Sequence, residues 1–408
     1  MSTTRLEKIN VGILVTTQTL FLIASITVMT LSGVVGRELS PDPALATLPI
    51  ALMMIGTLVS TLPASLYMKR VGRRVGFITG VSVGGVVGGL LSFVAIALGS
   101  FWLFCAGNLL IGLYQGFAMY YRFAAADVAN PAFRSRAISY VMVGGVAAAF
   151  LGPWNASIVA DWIPAVPSGG AYLMIALLAM VAIALLAFLR VPPAGEPQPG
   201  DISRPMGQIA AQPAFLVALL ASAMGYAVMT LVMTATPLAM REQGFEMSHV
   251  ATIMQWHVLG MFVPAFFTGS LIARVGVTQV LLAGAALLAA SAVVATTGVS
   301  FAHFWVALVI LGVGWNFLFV GGSTLLTSVH SEAERGKVQG ANDLSIFSLV
   351  AIGALMSGAL LNQFGWELLN LMMLPLSALL VAAIVWFKFV ETRRRKRGEA
   401  YAGSSEGE

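Results

Sequence analysis

In a chain that is 58% hydrophobic and only 10% charged, a few polar residues stand beside aromatic rings within long apolar runs. The pairs are Tyr114-Gln115, Trp154-Asn155, Gln255-Trp256 and Trp315-Asn316, with Gln18 and Tyr226 in runs of their own. A ring next to an amide can stack on a flat molecule and hydrogen-bond its edge, which suits a small, largely uncharged, planar ligand. The same aromatics can instead form belts at a membrane interface, and Tyr120, Tyr121 and Trp102 stand where a belt would. The candidate ligand-binding residues are therefore Gln18, Gln115, Trp154, Asn155, Gln255, Trp256, Trp315 and Asn316.

Ionisable groups inside the apolar runs are few, and each has two readings. His257 follows Trp256 deep in its run; it is either a hydrogen-bonded structural group or a mid-membrane proton switch. Arg122 lies about one helical turn from the end of its run, where it can snorkel to the interface or meet a substrate. Asp343 falls at the start of its run, where an acid at a helix N-terminus is ordinary capping chemistry. No run carries a carboxylate near its middle.

Several function classes drop out. The single cysteine, Cys105, excludes a disulfide framework, and no second histidine stands near His257 to make a metal site. The glycines at Gly80, Gly84 and Gly88 repeat at helix-packing spacing and lack the Lys-Ser/Thr of a phosphate loop. No nucleophile triad or paired acids lie within the runs, so the chain is not expected to be an enzyme or to need a cofactor. The formal net charge of +5 has a membrane explanation and does not call for nucleic acid.

These residues must be positioned by membrane helices, each needing about 20 apolar residues. Twelve segments qualify, near 10–34, 45–68, 75–99, 102–126, 137–160, 170–190, 214–237, 249–272, 277–297, 303–328, 340–362 and 367–388. The expected fold is all-α, with residues 1–190 and 214–390 forming two six-helix halves. Residues 191–213, rich in proline, join them, and residues 391–408 form a basic tail expected to be disordered. Arginine and lysine gather on the side holding both termini; only Arg37 and Arg241 fall on the other. Both ends are thus expected in the cytoplasm, in a bacterial inner membrane, with the lipid bilayer as partner and a monomer as the working unit.

One basic pattern occurs twice. Ser65-Leu66-Tyr67-Met68-Lys69-Arg70-Val71-Gly72-Arg73-Arg74 is echoed by Gly269-Ser270-Leu271-Ile272-Ala273-Arg274-Val275-Gly276, and Arg134-Ser135-Arg136 by Arg335-Gly336-Lys337. Glycine permits a tight turn between antiparallel helices at each hairpin. The expected gating set is Arg70, Gly72, Arg73, Arg74, Asp127, Arg274 and Gly276. Asp127 is expected to pair with Arg73 or Arg74 when the far side is open and to part from it when the cytoplasmic side opens.

The first hairpin resembles that of the major facilitator superfamily, Gly-x-x-x-Asp-Arg-x-Gly-Arg-Arg, through Arg70, Gly72, Arg73 and Arg74, with Ser65 and Lys69 replacing its Gly and Asp. Gly152-Pro153 in span 5 resembles an element common in that family's antiporters, whereas Asn108 stands where many drug/proton antiporters carry arginine. The resemblance implies a secondary transporter whose halves rock about a midplane site. It places spans 1, 4, 5, 7, 8 and 10 around a central cavity. Tyr120-Tyr121-Arg122-Phe123-Ala124-Ala125-Ala126-Asp127 is similar to a branch that includes bacterial riboflavin permeases, which implies riboflavin uptake. A drug or metabolite exporter, and a non-transporting receptor on the same scaffold, remain the alternatives.

Overall fold

A computed structural model describes residues 5–130, 134–191, 204–330 and 334–405. Among these, eleven helices are long and apolar enough to cross a bilayer, and one bent pair makes up to twelve. Span 1 is Arg5–Leu39, span 2 Leu48–Val71, span 3 Arg73–Ala97, span 4 Phe101–Ala118 continued by Tyr121–Val128, span 5 Arg134–Ser157 and span 6 Gly169–Leu186. Span 7 is Pro213–Glu242, and span 8 is Met247–Phe262 plus Ala265–Val275, bent by 40° where Pro264 interrupts it. Span 9 is Val277–Thr296 and span 10 Phe301–Thr327. Gly365 (φ 73°) turns the helix Arg335–Leu371 back on itself, so span 11 covers 335–364 and span 12 runs on into Met373–Ser405.

The helix of span 12 continues through Ser405 where the composition suggested a disordered tail. Its Arg, Lys, Glu and Ala residues are good helix formers. The connector residues 192–203 and the side chains of Arg134, Arg136 and Arg335 lie outside the described set.

The sequence repeat has a backbone counterpart. Gly72 and Gly276 both end a helix and begin the next with nearly the same dihedrals, φ 83°, ψ 156° and φ 90°, ψ 152°. Only glycine takes up this conformation without strain. Spans 2 and 4 meet at Gly56 and Gly112, where a Cβ would collide with the carbonyls of Leu109 and Met53; spans 8 and 10 meet likewise at Gly260 and Gly312.

Spans 1 and 7 form the axis of the bundle. Residues Ile26–Ser32 and Val228–Met240 are buried all round, as expected for helices enclosed by others. The end carrying the two glycine hairpins is called the hairpin end, and the opposite one the far end. At the far end the halves touch: Gly33 packs against Leu238, Arg37 Nη1 lies 2.9 Å from Glu242 Oε1, and Gly358 N donates to Thr47 Oγ1 at 3.1 Å. At the hairpin end, spans 2 and 4 stand apart from span 11 around a cavity of 460 Å³. The molecule is closed at its far end and open at its hairpin end.

Candidate functional site

Rings from four spans of the second half meet in one cluster. Trp315 and Phe319 occupy the same face of span 10 at i, i+4 and stack with centroids 5.0 Å apart and planes 10° from parallel. Tyr226 of span 7 meets Trp315 at 5.3 Å, Phe319 at 5.7 Å and Phe347 of span 11 at 6.1 Å. Phe262 of span 8 closes the group at 6.4 Å from Trp315. Trp315 Nε1 is buried without a protein hydrogen-bond partner, so this apolar wall keeps one unsatisfied donor.

The first half supplies amides. Gln115 is buried with Oε1 lacking a partner, and Gln18 is half-buried with no side-chain hydrogen bond to another described residue. A buried amide oxygen left unpaired costs about 1–3 kcal/mol unless something else satisfies it.

Several candidates are engaged elsewhere. Asn155 Nδ2 donates to Thr27 Oγ1 at 3.0 Å and to Ala171 O at 3.2 Å, tying span 5 to spans 1 and 6. Asn316 donates to Met261 O and accepts from Thr268 Oγ1, both at 2.7 Å, joining span 10 to span 8. His257 is fully buried and its Nδ1 donates to Leu308 O at 2.7 Å. These groups hold helices together, and His257 does not reach the cavity as a switch would. Asn108 is likewise held, accepting from Ser32 Oγ at 3.0 Å.

Trp154 and Trp256 do not join the inner wall. Each is more than two-fifths exposed, in edge-to-face contact with Trp162 at 6.0 Å and Trp305 at 5.5 Å respectively. Both pairs sit in the far half, where the bundle is closed, so their exposure is to the membrane and its interface. Gln255, beside Trp256, is half-buried and unbonded to described side chains. The rings that do form the wall, Phe262, Phe319 and Phe347, were missed among many phenylalanines. The i, i+4 pairing of Phe319 with Trp315 was the available signal.

At the hairpin end, Arg73 Nη2 meets Asp127 Oδ2 at 2.6 Å. This pair is formed while the hairpin end is open, contrary to the expectation that it parts in that state. Both partners belong to the first half, so they move together. Arg70, Arg74 and Arg274 are exposed and make no ion pair among the described residues.

The second half uses residues the sequence did not single out. Glu334, 1% exposed, accepts from Arg204 Nε and Nη2 at 2.7 Å each and from Arg204 N at 2.8 Å. Arg204 Nη2 also donates to Val329 O at 3.0 Å, Gln212 Nε2 to the same oxygen at 3.3 Å, and Lys337 Nζ to Arg204 O. The carboxylate beside it raises the Arg204 guanidinium above its ordinary pKa, so it stays charged. The end of the connector is thereby fastened to the loop between spans 10 and 11.

The cavity between the halves is lined by Thr61 and Ser65 of span 2, Tyr120 and Phe123 of span 4, and Asp343 and Phe347 of span 11. Asp343 is not a capping residue. Helix formation starts at Arg335, eight residues earlier, which places Asp343 about 12 Å along the span. On span 4 the Arg122 guanidinium lies over the Phe123 ring at 4.8 Å, with its Nε buried and without a hydrogen-bond partner. No group of three metal-ligating side chains is present among the described residues.

Comparison with known proteins fits this arrangement. The family model described as Major Facilitator Superfamily matches residues 13–262 and, again, 218–405. The chain is 41% identical over 378 residues to the riboflavin transporter RfnT of Brucella anthropi, covering 92% of this chain and 95% of the relative. It is also 29% and 28% identical to the uncharacterised MFS-type transporters YdeG and YddS of Bacillus subtilis, in each case over 88% of this chain and 87% or 86% of the relative.

Proposed function

The chain belongs to the major facilitator superfamily, and from that premise we propose that it is a secondary transporter that carries riboflavin into the cell. The observation that supports the substrate is the 41% identity to a riboflavin transporter along nearly the whole of both chains. The site is chemically suited to it. A fused, flat, neutral ring system can lie against Tyr226, Trp315 and Phe319, with Phe262 and Phe347 at the margins. Trp315 Nε1 and the amides of Gln18 and Gln115 can take its polar edge and hydroxyls. Asn155, Asn316 and His257 support the helices that carry these groups, and Trp154 and Trp256 anchor the bundle in the membrane.

The excess of arginine and lysine at the hairpin end orients that end toward the cytoplasm, in a bacterial inner membrane, with the protein working as a monomer. In this orientation the structure is the inward-facing form, closed to the outside by the contacts around Arg37–Glu242. Gly152, the glycine of the antiporter-like Gly-Pro, packs against Ile26 of span 1 and has a structural use in this protein.

The test is riboflavin uptake by a riboflavin-auxotrophic bacterium expressing the chain, beside a Trp315→Ala variant at equal membrane expression. Growth on low riboflavin that the variant loses is the expected result. Absence of rescue by a well-expressed, membrane-inserted protein overturns the substrate.

A further inference from the structure

Span 7 carries two threonines that do not behave like the others. Thr27, Thr30, Thr57, Thr236 and Thr268 each donate to the carbonyl four residues back on their own helix, the ordinary use of a buried hydroxyl in a span. Thr230 and Thr234 are as fully buried, yet neither hydroxyl has a hydrogen-bond partner among the described residues. An unpaired buried hydroxyl is costly, and a turn of the side chain onto that carbonyl would relieve it. Resting on the riboflavin reading above, we propose that Thr230 and Thr234 form the subsite for the substrate's polyol chain, and so set a preference for flavins that carry the chain over those that lack it.

Their place on span 7 fits this use. Gly225 packs on Leu318 of span 10, and Ala227 and Leu231 lie against Gly353 of span 11. Tyr226 falls between these two faces, and its ring meets Trp315 and Phe319 of span 10 and Phe347 of span 11. Thr230 and Thr234 follow at i+4 and i+8, so they continue the ridge that Tyr226 begins, about 6 Å and about 12 Å further toward the far end. The third unpartnered hydroxyl of this span, on Ser222, has a packing use, because it fills the space that a Cβ on Gly322 of span 10 would need. Span 7 carries no charged residue before Arg241. The ridge therefore offers two neutral groups, each able to donate and to accept. A run of alcohol carbons lying along the helix can bond both, whereas an ion would find no counter-charge there.

Ring cluster and hydroxyl ridge together fix how the substrate lies. Its flat rings rest on Trp315 and Phe319, and its chain runs along span 7 toward the far end, where Leu238 of the same helix closes on Gly33 of span 1. Both hydroxyls are enclosed in the present form, which is shut at that end. They meet the chain while the far end is open or the site is closed around the substrate, and they are covered once it leaves by the hairpin end. A ligand shifts an equilibrium between two states only by binding them differently. Hydrogen bonds made at entry and given up at release supply such a difference.

The test sets riboflavin against lumiflavin, which has the same ring system with a methyl group in place of the polyol chain. In cells expressing the chain, the KM for riboflavin uptake and the inhibition constant of lumiflavin are measured for the parent and for valine and serine variants at both positions, at equal membrane expression. Thr230→Val and Thr234→Val keep the side-chain shape and delete one hydroxyl each. The riboflavin KM should rise about fivefold in either, while lumiflavin inhibits within about twofold of its effect on the parent. Thr230→Ser and Thr234→Ser keep the hydroxyl and should keep the parent's preference for riboflavin. Trp315→Ala, by contrast, should weaken both ligands. Valine variants that weaken both ligands alike, or neither, overturn the subsite and leave the threonines a packing role. A well-inserted parent that takes up no riboflavin overturns the substrate reading and the subsite with it, whereas uptake with unchanged selectivity in the valine variants overturns the subsite alone.

Discussion

The two halves solve the same problem at the hairpin end with different chemistry. In the first, Arg73 at the base of span 3 meets Asp127 at the end of span 4, and both side chains are partly exposed, 24% and 39%. In the second, Val277 stands where the first half has Arg73, the hairpin arginine Arg274 is exposed like its counterpart Arg70, and the acid is Glu334, buried and gripped by an arginine from the connector. Their interiors differ as well: the first half keeps amides without side-chain partners, and the second a ring cluster. Repetition survives where backbone geometry demands it, at Gly72 and Gly276 and at the crossings of spans 2 with 4 and 8 with 10. Side chains that meet substrate or connector are free to diverge.

The largest effect should come from breaking the asymmetry of the walls. Trp315→Ala removes ring contacts with Tyr226, Phe262 and Phe319, each worth roughly 0.5–1.5 kcal/mol, together with its share of the substrate surface. Riboflavin affinity measured by uptake should fall about 10- to 100-fold, whereas Trp315→Phe should recover most of it. Gln115→Ala deletes one hydrogen-bonding group and should cost about fivefold. Trp256→Ala should leave uptake within about twofold, the response of a surface position. An equal loss in Gln115→Ala and Trp315→Ala would mean that the ring wall is not where the substrate rests.

Next in size is the contrast between the two acids. Glu334→Gln keeps the shape but removes the charge that three Arg204 donors share. Amide hydrogen exchange over residues 204–212 and 334–338 should then quicken on the order of tenfold, as a fastened segment starts to open locally. Asp127→Asn should leave those segments unchanged. If exchange there is already fast in the parent chain, the connector is not fastened.

Much of this scaffold is legible in the sequence because lipid imposes strong constraints. Apolar length set the spans, and paired glycines set the hairpins. The site was less legible. A tryptophan beside an amide reads the same in sequence whether the ring faces the membrane, as Trp154 does, or the interior, as Trp315 does. The amides of Asn155 and Asn316 went to helix packing because a buried polar group takes the nearest backbone carbonyl. Asp343 was misjudged because the polar first turns of span 11 hid the true helix start at Arg335.

A smaller effect, but a directional one, belongs to the far end. Arg37 and Glu242 join the two halves with side chains about two-fifths exposed, so the pair should contribute no more than about 0.2–1 kcal/mol. Because it exists only while the far side is closed, Arg37→Gln should move the balance toward the outward-facing form by up to about fivefold. Accessibility of a cysteine placed at Gln243, next to the pair, should rise accordingly. No change would assign closure to Thr47–Gly358 and the packing of Gly33 on Leu238 alone.

The smallest shift should come from Asp127→Asn, although its ion pair, at 2.6 Å, is the shortest of the three among the described residues. Length is the wrong guide. A bond can bias an equilibrium only by the difference in its strength between the two states, and Arg73 and Asp127 ride on the same half whichever way the molecule faces. The exposed pair should contribute about 0–1 kcal/mol to the stability of the first half and next to nothing to the choice of state. The accessibility of a cysteine placed at Gln243 should therefore stay unchanged in Asp127→Asn, against its rise in Arg37→Gln. A marked move toward either form would show that Asp127 changes partners during the cycle, which would make the first-half hairpin a moving latch and return the two halves to equal standing.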